Sequence, residues 1–221
     1  MIELGHSLDL LAPTLHNGPG WRIPIWTQGC SLRCTDDCLS PHLLTKGMGR
    51  SFPCSEVSAA IIKAAGEATV PVEGITVLGG EPTDQAEALL NILMDVRRAG
   101  LSVMLYSGRK LKWLMHCKSD PITRLLDIVD ILVDGPFIEK KYSHTAMWKG
   151  SSNQNIIIMS DRYSYYGIQR QWNSQKKSFS ITSSPSGRLV VSGLQCRDGA
   201  HGISEMLLMA RGKHRPNEFS G

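Results

Sequence analysis

The chain has 221 residues, 42% of them hydrophobic, which is enough to form one buried core with at most a small appended segment. No apolar run reaches the length of a membrane span, and the N-terminus lacks a basic segment followed by a long apolar one, so we expect a soluble cytoplasmic protein. The formal net charge is +4, and residues 160–221 carry nine Lys and Arg against four Asp and Glu. Because this region has no dense basic run, we expect a solvated basic surface, with no nucleic-acid or membrane partner.

Strand and helix patterns alternate along the first two thirds of the chain. The predicted elements, in chain order, are a strand at 22–27, a helix at 55–68 with Ser55 as its N-cap, a strand at 74–78, an amphipathic helix at 85–98 that ends near Gly100, a strand at 101–106, a helical stretch, and an apolar strand near 128–134. This alternation of strands and helices predicts an α/β fold with a parallel sheet and right-handed crossovers. The functional loops should then lie at the C-terminal ends of the strands.

The pattern of residue types changes after about residue 159. Residues 160–178 are polar and aromatic without a clear period, residues 179–194 predict two short strands joined at 185–187, and residues 203–212 predict a short closing helix. We therefore predict two domains, residues 1–159 and a C-terminal appendage at 160–221. Its aromatic residues are expected to pack the appendage on the main domain; they are Tyr163, Tyr165, Tyr166 and Trp172.

Three of the six cysteines lie close together, at Cys30, Cys34 and Cys38, in a C-x3-C-x3-C pattern. In a reducing compartment, clustered thiols are more often metal ligands or catalytic groups than a disulfide framework. A structural zinc site needs four ligands, usually from two close pairs, and only the nearby His42 offers a fourth. A cubane cluster held by three thiolates instead leaves one iron open. The spacing alone leaves both interpretations open, and the scattered Cys54, Cys117 and Cys196 are interpreted as small apolar residues.

Further motifs narrow this choice through a family resemblance. The segment HNGPGWRIPIWTQGCSLRC resembles the N-terminal signature of radical S-adenosylmethionine (SAM) enzymes, in particular the activases of glycyl radical enzymes. The segment LGGEP resembles the glycine-rich SAM-binding loop of that family. The segments YSGR, ILVDGPF and WKGSSNQ are similar to landmarks of the small activases of anaerobic ribonucleotide reductases, in the same order. The resemblance covers residues 17–158 and stops before the last third of the chain.

This resemblance implies a fold, cofactors and a reaction. The fold would be an incomplete, open (β/α) barrel with a small C-terminal β-rich appendage. The three clustered cysteines would hold a [4Fe–4S] cluster whose open iron chelates SAM. The enzyme, a radical SAM oxidoreductase, would cleave SAM reductively to a 5′-deoxyadenosyl radical that abstracts a hydrogen atom. It would act as an activase of a glycyl radical protein and receive its electron from a flavodoxin or ferredoxin.

The resemblance also assigns candidate cofactor-binding residues. They are Gly79, Gly80, Glu81, Pro82, Ser107, Asp134, Asn153 and Gln154. The glycines suit a close backbone approach to a ligand, and the carbonyls of this loop, with Glu81 nearby, would receive the ammonium of SAM. For each of these residues an ordinary turn or loop-capping role remains the alternative.

One departure from the family pattern affects the substrate. The family spacing is C-x3-C-x2-C, whereas this chain has one more residue, with Asp37 directly before the third cysteine. A carboxylate there favours the oxidised form of a cluster and lowers its potential. Two alternatives therefore stay open. The enzyme modifies a small molecule or a peptide, or the chain is a non-catalytic zinc or metal-binding module.

Overall fold

The computed structural model describes residues 1–143, 146–174, 180–183 and 189–192. The strands are β1 Ile2–Leu4, β2 Trp21–Thr27, β3 Arg50–Phe52, β4 Val72–Gly79, β5 Ser102–Ser107, β6 Ile131–Asp134, β7 Asn155–Ile158, β8 Ser180–Ser183 and β9 Leu189–Ser192. The helices are α1 Cys54–Gly66, α2 Ala86–Arg98, α3 Leu111–His116, α4 Asp120–Asp127 and α5 Tyr165–Ser174. Across the described ranges, none of the helices has the length and apolar character that a membrane crossing requires.

Seven strands form one mixed sheet in the order β3-β1-β2-β4-β5-β6-β7. The central strands β2, β4, β5 and β6 pair in parallel, as the sequence predicts. The outer strands β1, β3 and β7 pair antiparallel, so the prediction of a parallel sheet was wrong at both edges. At β7 the reason is that the loop joining it to β6 contains a short 3₁₀ turn and, among its described residues, no longer helix, so the chain comes back in the opposite direction. The fold is thus mixed α/β, and the open barrel stays a prediction.

Several element boundaries differ from the sequence-based ones. Helix α1 begins at Cys54, and its N-cap is Pro53, two residues before the predicted cap Ser55. Helix α2 begins at Ala86 because a 3₁₀ turn occupies Pro82–Gln85. The predicted stop at Gly100 is confirmed, since this glycine has φ +85° directly after the C-cap residue Ala99. The strands β1 and β3 were missed because three residues are too few to show a period.

The helices α1, α2 and α4 cover one face of the sheet, which we call the outer face. Helix α2 contributes fully buried residues at the spacing of one helical stripe, namely Leu89, Ile92, Leu93 and Val96. Side chains alternate along a strand, so β2 places Ile23 and Ile25 in this core and Arg22 on the opposite face.

The opposite, inner face of the sheet is filled by chain that follows β6. Met104, Ile131 and Val133 of the sheet pack there against Trp148 and against residues of α5 and the turn before it, namely Tyr163, Ile168 and Trp172. The rings of Trp148 and Trp172 meet edge to face with centroids 5.5 Å apart. Tyr163 and Trp172 have the predicted packing role, whereas Tyr165 and Tyr166 are 55% and 71% exposed. The domain boundary at residue 159 stays a prediction, and it is crossed by these contacts.

A buried arginine reinforces the inner face. The guanidinium of Arg22 is completely buried and donates hydrogen bonds to Thr76 Oγ1 at 2.9 Å, Ser102 Oγ at 2.9 Å and Tyr163 OH at 3.2 Å. Burial lowers the pKa of Arg22, and the neighbouring Tyr163 and Glu73 oppose that shift. The Tyr163 hydroxyl donates in turn to the Glu73 carboxylate. This network ties residue 163 to three strands of the sheet.

The two strands predicted in the C-terminal part are confirmed. β8 and β9 pair antiparallel, with Ser180 opposite Ser192 and Ser183 opposite Leu189. The predicted turn at 185–187, the helix at 203–212 and Cys196 lie outside the described residues.

Candidate cofactor site at the cysteine loop

The three clustered cysteines lie on a loop that is closed at its base, residues 29–44, which we call the cysteine loop. The amide of Gly29 donates to the Leu43 carbonyl at 2.9 Å, and the amide of Cys30 donates to the Leu44 carbonyl at 3.0 Å. The side-chain amide of Gln28 also donates to the carbonyls of His42 and Thr45. These bonds fix both ends of the loop beside the end of β2 and leave the segment with the thiols free of regular secondary structure.

A cavity of about 180 Å³ lies between the cysteine loop and the C-terminal ends of β4 and β5. Its wall contains nine of the eleven predicted site residues, namely Cys30, Cys34, Cys38, Gly79, Gly80, Glu81, Pro82, Ser107 and Gln154. The rest of the wall is mostly apolar and includes Trp26, Leu32, Leu39, Leu78, Tyr106 and Phe137. The location agrees with the prediction that functional loops follow the parallel strands.

The thiols in this wall are close enough to influence one another. Burial raises the pKa of the Cys34 thiol, the neighbouring thiols of Cys38 and Cys30 raise it further, and a hydrogen bond with the backbone of Phe137 opposes the shift. Every cysteine in the described ranges is a free thiol. Within those ranges, no three Cys, His, Asp or Glu side chains already lie in metal-binding geometry.

The glycines of the GGEP segment, residues 79–82, allow this segment to run against the cysteine loop. The amide of Gly80 donates to the Thr27 carbonyl and the amide of Glu81 to the Gly29 carbonyl, both at 2.9 Å. Gly79 has φ +132°, and a Cβ atom there would collide with the backbone of Thr27. A Cβ atom at Gly80 would collide with the Gly29 carbonyl. Only glycine fits at both positions while the two loops stay this close.

Glu81 is 1% exposed and joins the loops after β4 and β5. Its carboxylate accepts hydrogen bonds from the amide and hydroxyl of Thr83, from Ser107 Oγ at 2.9 Å and from the Gly108 amide at 2.8 Å. Burial raises the pKa of Glu81, and these four hydrogen bonds oppose the shift. The carboxylate is thus held in one position on the cavity wall.

Ser107 and Gln154, two further polar residues of the wall, are also held by the protein. Ser107 Oγ donates to Glu81 and accepts from the Arg109 amide at 3.0 Å. Gln154 Oε1 accepts from the Gly150 amide at 2.9 Å, and Gln154 Nε2 donates to the Gly135 carbonyl at 2.9 Å. Both side chains therefore shape the wall.

Asp134 and Asn153, the remaining predicted residues, lie behind the wall. Asp134 Oδ2 accepts from the Leu111 amide at 2.7 Å and so caps the first turn of α3, while Oδ1 accepts from Asn155. Asn153 Nδ2 donates to the Pro136 carbonyl at 2.8 Å. The buried Oδ1 of Asn153 has no hydrogen-bond partner among the described residues. The structure thus shows these two residues positioning α3 and the loop between β6 and β7.

A polar junction beside Cys30 was not predicted from the sequence. Asp84 accepts from the amide and the hydroxyl of Ser31, both at 2.7 Å, and from Arg109 Nη2 at 3.0 Å. Arg109 Nη2 also donates to Ser31 Oγ at 3.0 Å. These residues are 25 to 78 positions apart, so no local pattern links them. The available signals were that Asp84 closely follows the GGEP segment and that Arg109 ends the segment YSGR.

Comparison with known families agrees with this site. Residues 16–157 match the family model of the 4Fe-4S single cluster domain, which is more than half of the chain. The chain belongs to this family.

Among characterised relatives, the anaerobic ribonucleoside-triphosphate reductase-activating protein of Salmonella typhimurium is 28% identical over 145 residues, which cover 63% of this chain and 90% of the relative. The protein of the same description from Escherichia coli K12 is 26% identical over 144 residues, with the same coverage. The pyruvate formate-lyase-activating enzyme of Listeria monocytogenes is 30% identical over 128 residues, 58% of this chain and half of the relative. These matches confirm the resemblance to the radical SAM activases.

Proposed function

We propose that the chain is a radical SAM activase that binds a [4Fe–4S] cluster and SAM in the cavity beside the cysteine loop and abstracts hydrogen from a glycine of a partner protein. One observation carries this proposal: the three thiols and the GGEP segment line the same cavity. The relatives support it, because their descriptions name activating proteins of two different enzymes.

The donor set fits such a cluster. Three thiols face the cavity, and among the described wall residues the only carboxylate, that of Glu81, is already engaged by four hydrogen bonds. Three cysteine ligands leave one coordination position for a ligand from outside the protein, whereas a structural zinc site fills all four. The cluster would be held by Cys30, Cys34 and Cys38.

The protein contributes position and exclusion of water. When bound, the cluster and SAM together supply a one-electron cleavage that generates a 5′-deoxyadenosyl radical, which removes a hydrogen atom from the substrate. Gly79 and Gly80 would let the backbone approach SAM closely, with Glu81 and Pro82 completing that side of the wall. The apolar wall residues would keep water from the reacting atoms.

Of the remaining predicted residues, two would contact SAM and two would position the elements around it. Ser107 and Gln154 lie on the wall and would contact SAM directly. Asp134 and Asn153 would act as positioning residues, because their hydrogen bonds hold α3 and the loop that carries Phe137. A peptide segment would enter past Leu39, which is 46% exposed at the wall.

A small molecule or a free peptide is the second candidate substrate. The observation that favours it is the additional residue between Cys34 and Cys38, which places Asp37 on the exposed part of the cysteine loop. A change of loop length at the cavity changes what is able to enter it.

The test starts with anaerobic reconstitution. The wild type should contain about four iron and four sulfide ions per chain and should release 5′-deoxyadenosine from SAM with dithionite. Cys34→Ala should lose both properties, whereas the matched control Cys54→Ala, outside the cavity, should retain both. Zinc without iron in the wild type would contradict the proposal. A glycyl radical signal in the electron paramagnetic resonance spectrum of a co-expressed partner would favour the protein substrate, and its absence would favour a small one.

A further inference from the structure

Helix α3 and its flanks, residues 109–118, form a basic surface with exposed apolar side chains, which we call the α3 surface. It carries four basic residues, Arg109, Lys110, Lys112 and Lys118, and no acidic residue, whereas residues 1–159 as a whole carry fifteen Lys and Arg against sixteen Asp and Glu. Trp113 and Met115 on the same helix are 46% and 62% exposed. Trp, Met and Arg are enriched at protein interfaces, so this composition indicates a protein-binding surface.

The α3 surface adjoins the base of the cysteine loop. The guanidinium carbon of Arg109 lies 4.1 Å from the centroid of the Trp113 ring. The same guanidinium donates to Ser31 Oγ at 3.0 Å, and Ser31 directly follows Cys30. An exposed indole is thereby connected with the first cluster cysteine through one guanidinium and one hydroxyl.

The charge of this surface is only partly balanced. Arg109 pairs with Asp84 at 3.0 Å, and Lys110 lies 3.7 Å from Asp134. Lys112 and Lys118 have no ion-pair partner within the part of the chain that the structure describes. A partner that meets this surface should therefore present carboxylates.

We propose that the α3 surface docks an acidic protein that donates one electron to the cluster; the inference rests on the function proposed above. The donor loses one electron, the cluster gains it, and no bond forms or breaks. The exposed Asp36 and Asp37 on the cysteine loop would repel such a donor. Their charge directs the donor to the α3 side of the loop, where the path through Arg109 and Ser31 begins.

The position of the α3 surface separates electron entry from substrate entry. Residues 109–118 do not line the cavity, whereas Leu39 and Phe137 do. A donor on α3 thus leaves the cavity accessible, and reduction does not require the substrate to leave.

The experiment uses an acidic flavodoxin as the probe and Lys112→Glu as the variant. The matched control is Lys63→Glu on helix α1. The Lys63 side chain is 72% exposed, and the substitution makes the same charge change away from the cavity. Calorimetry with the reconstituted protein should show affinity for flavodoxin falling about tenfold in Lys112→Glu, and no change in Lys63→Glu or in Lys112→Arg. The wild-type affinity should fall with added salt, because exposed charges are screened.

A kinetic comparison completes the test. With reduced flavodoxin as the electron donor, cluster reduction and SAM cleavage should both be about tenfold slower in Lys112→Glu than in the wild type. With dithionite as the donor, the two proteins should have equal rates. Equal flavodoxin affinity in Lys112→Glu and Lys63→Glu would overturn the inference. So would an equal loss of rate with dithionite, because the surface would then serve a step other than electron donation. If the wild type cleaves no SAM with dithionite, the proposed function fails, while the calorimetry still decides the docking site.

Discussion

Asp84 accepts two hydrogen bonds from Ser31, one from its amide and one from its hydroxyl, each at 2.7 Å. The contact joins the turn after the GGEP segment to the residue that follows Cys30. It therefore fixes one end of the cysteine loop against the loop that is proposed to bind SAM.

Asp84→Asn should loosen this junction. The variant keeps one acceptor oxygen but loses the charge that pairs with Arg109, and a hydrogen bond to a charged group contributes about 1.5–3 kcal/mol. We expect the free energy of unfolding to fall by about 1–2 kcal/mol and the reconstituted protein to lose iron faster during gel filtration. The control Asp120→Asn changes a carboxylate that is 78% exposed, 3.7 Å from Arg124, and should retain wild-type stability and iron. Equal iron retention in both variants would show that the junction does not position Cys30.

Gly80→Ala should disturb the cavity wall through the backbone. The new methyl group would collide with the Gly29 carbonyl, and backbone yields less easily than a side chain, so we expect a loss of about 1–3 kcal/mol in urea unfolding. Gly66→Ala is the control, because a Cβ atom at that helix end has no atom within 4 Å. It should be neutral or stabilising by up to about 1 kcal/mol. A Gly80→Ala protein as stable as the wild type would mean that the two loops separate without cost.

Tyr163→Phe tests whether residues beyond 159 are energetically part of the sheet. The change removes the hydroxyl that accepts from Arg22 and donates to Glu73, leaving a buried guanidinium with one partner fewer. We expect a loss of about 1–3 kcal/mol in the free energy of unfolding and unchanged iron content. Tyr166→Phe, at a side chain that is 71% exposed, should change neither quantity. If both variants unfold like the wild type, the Arg22 network does not hold this segment.

His6 should make the stability depend on pH. Its buried ring accepts a hydrogen bond from the Trp26 amide at Nε2 and donates from Nδ1 to the Ser7 carbonyl, so it is neutral in the fold. Burial lowers the pKa of His6 below its ordinary value of 6.5, although the bond to Ser7 and the charge of Asp9 oppose the shift. The unfolded chain therefore takes up the proton first, and stability is lost as the pH falls from 6.5 through the lowered pKa.

The measurement is denaturant unfolding of the apoprotein between pH 7.5 and 5. Relative to His6→Gln, the wild type should lose stability with acid at a slope of at most about 1.4 kcal/mol per pH unit. His116→Gln, which removes an exposed imidazole, should keep the wild-type slope. A His6→Gln protein with the wild-type slope would assign the acid sensitivity to other groups.

The sequence predicted the central strands and helices well because their signals are local. Buried positions recur along α2 at the helical spacing, and the apolar runs of β4 and β6 end in glycine or aspartate where the loops begin. The direction of β7 depends on how the loop after β6 packs. The alternation of apolar and polar residues within the strand carries no information about that packing. The strands β1 and β3 were missed because three residues are too few to show a period, and what holds them is pairing: β1 lies between β2 and β3.

By itself the sequence determined which chemical groups the site contains. The three cysteines and the GGEP segment are contiguous motifs, and their residue types already indicate thiolate ligands and a close backbone approach. Only the tertiary structure decided which of these groups meet, because the contacts of Ser31 with Asp84 and Arg109, and of Glu81 with Ser107, join segments that are far apart in the chain. It also placed Asp134 as a helix cap behind the cavity wall, since a buried carboxylate takes the nearest unpaired backbone amide.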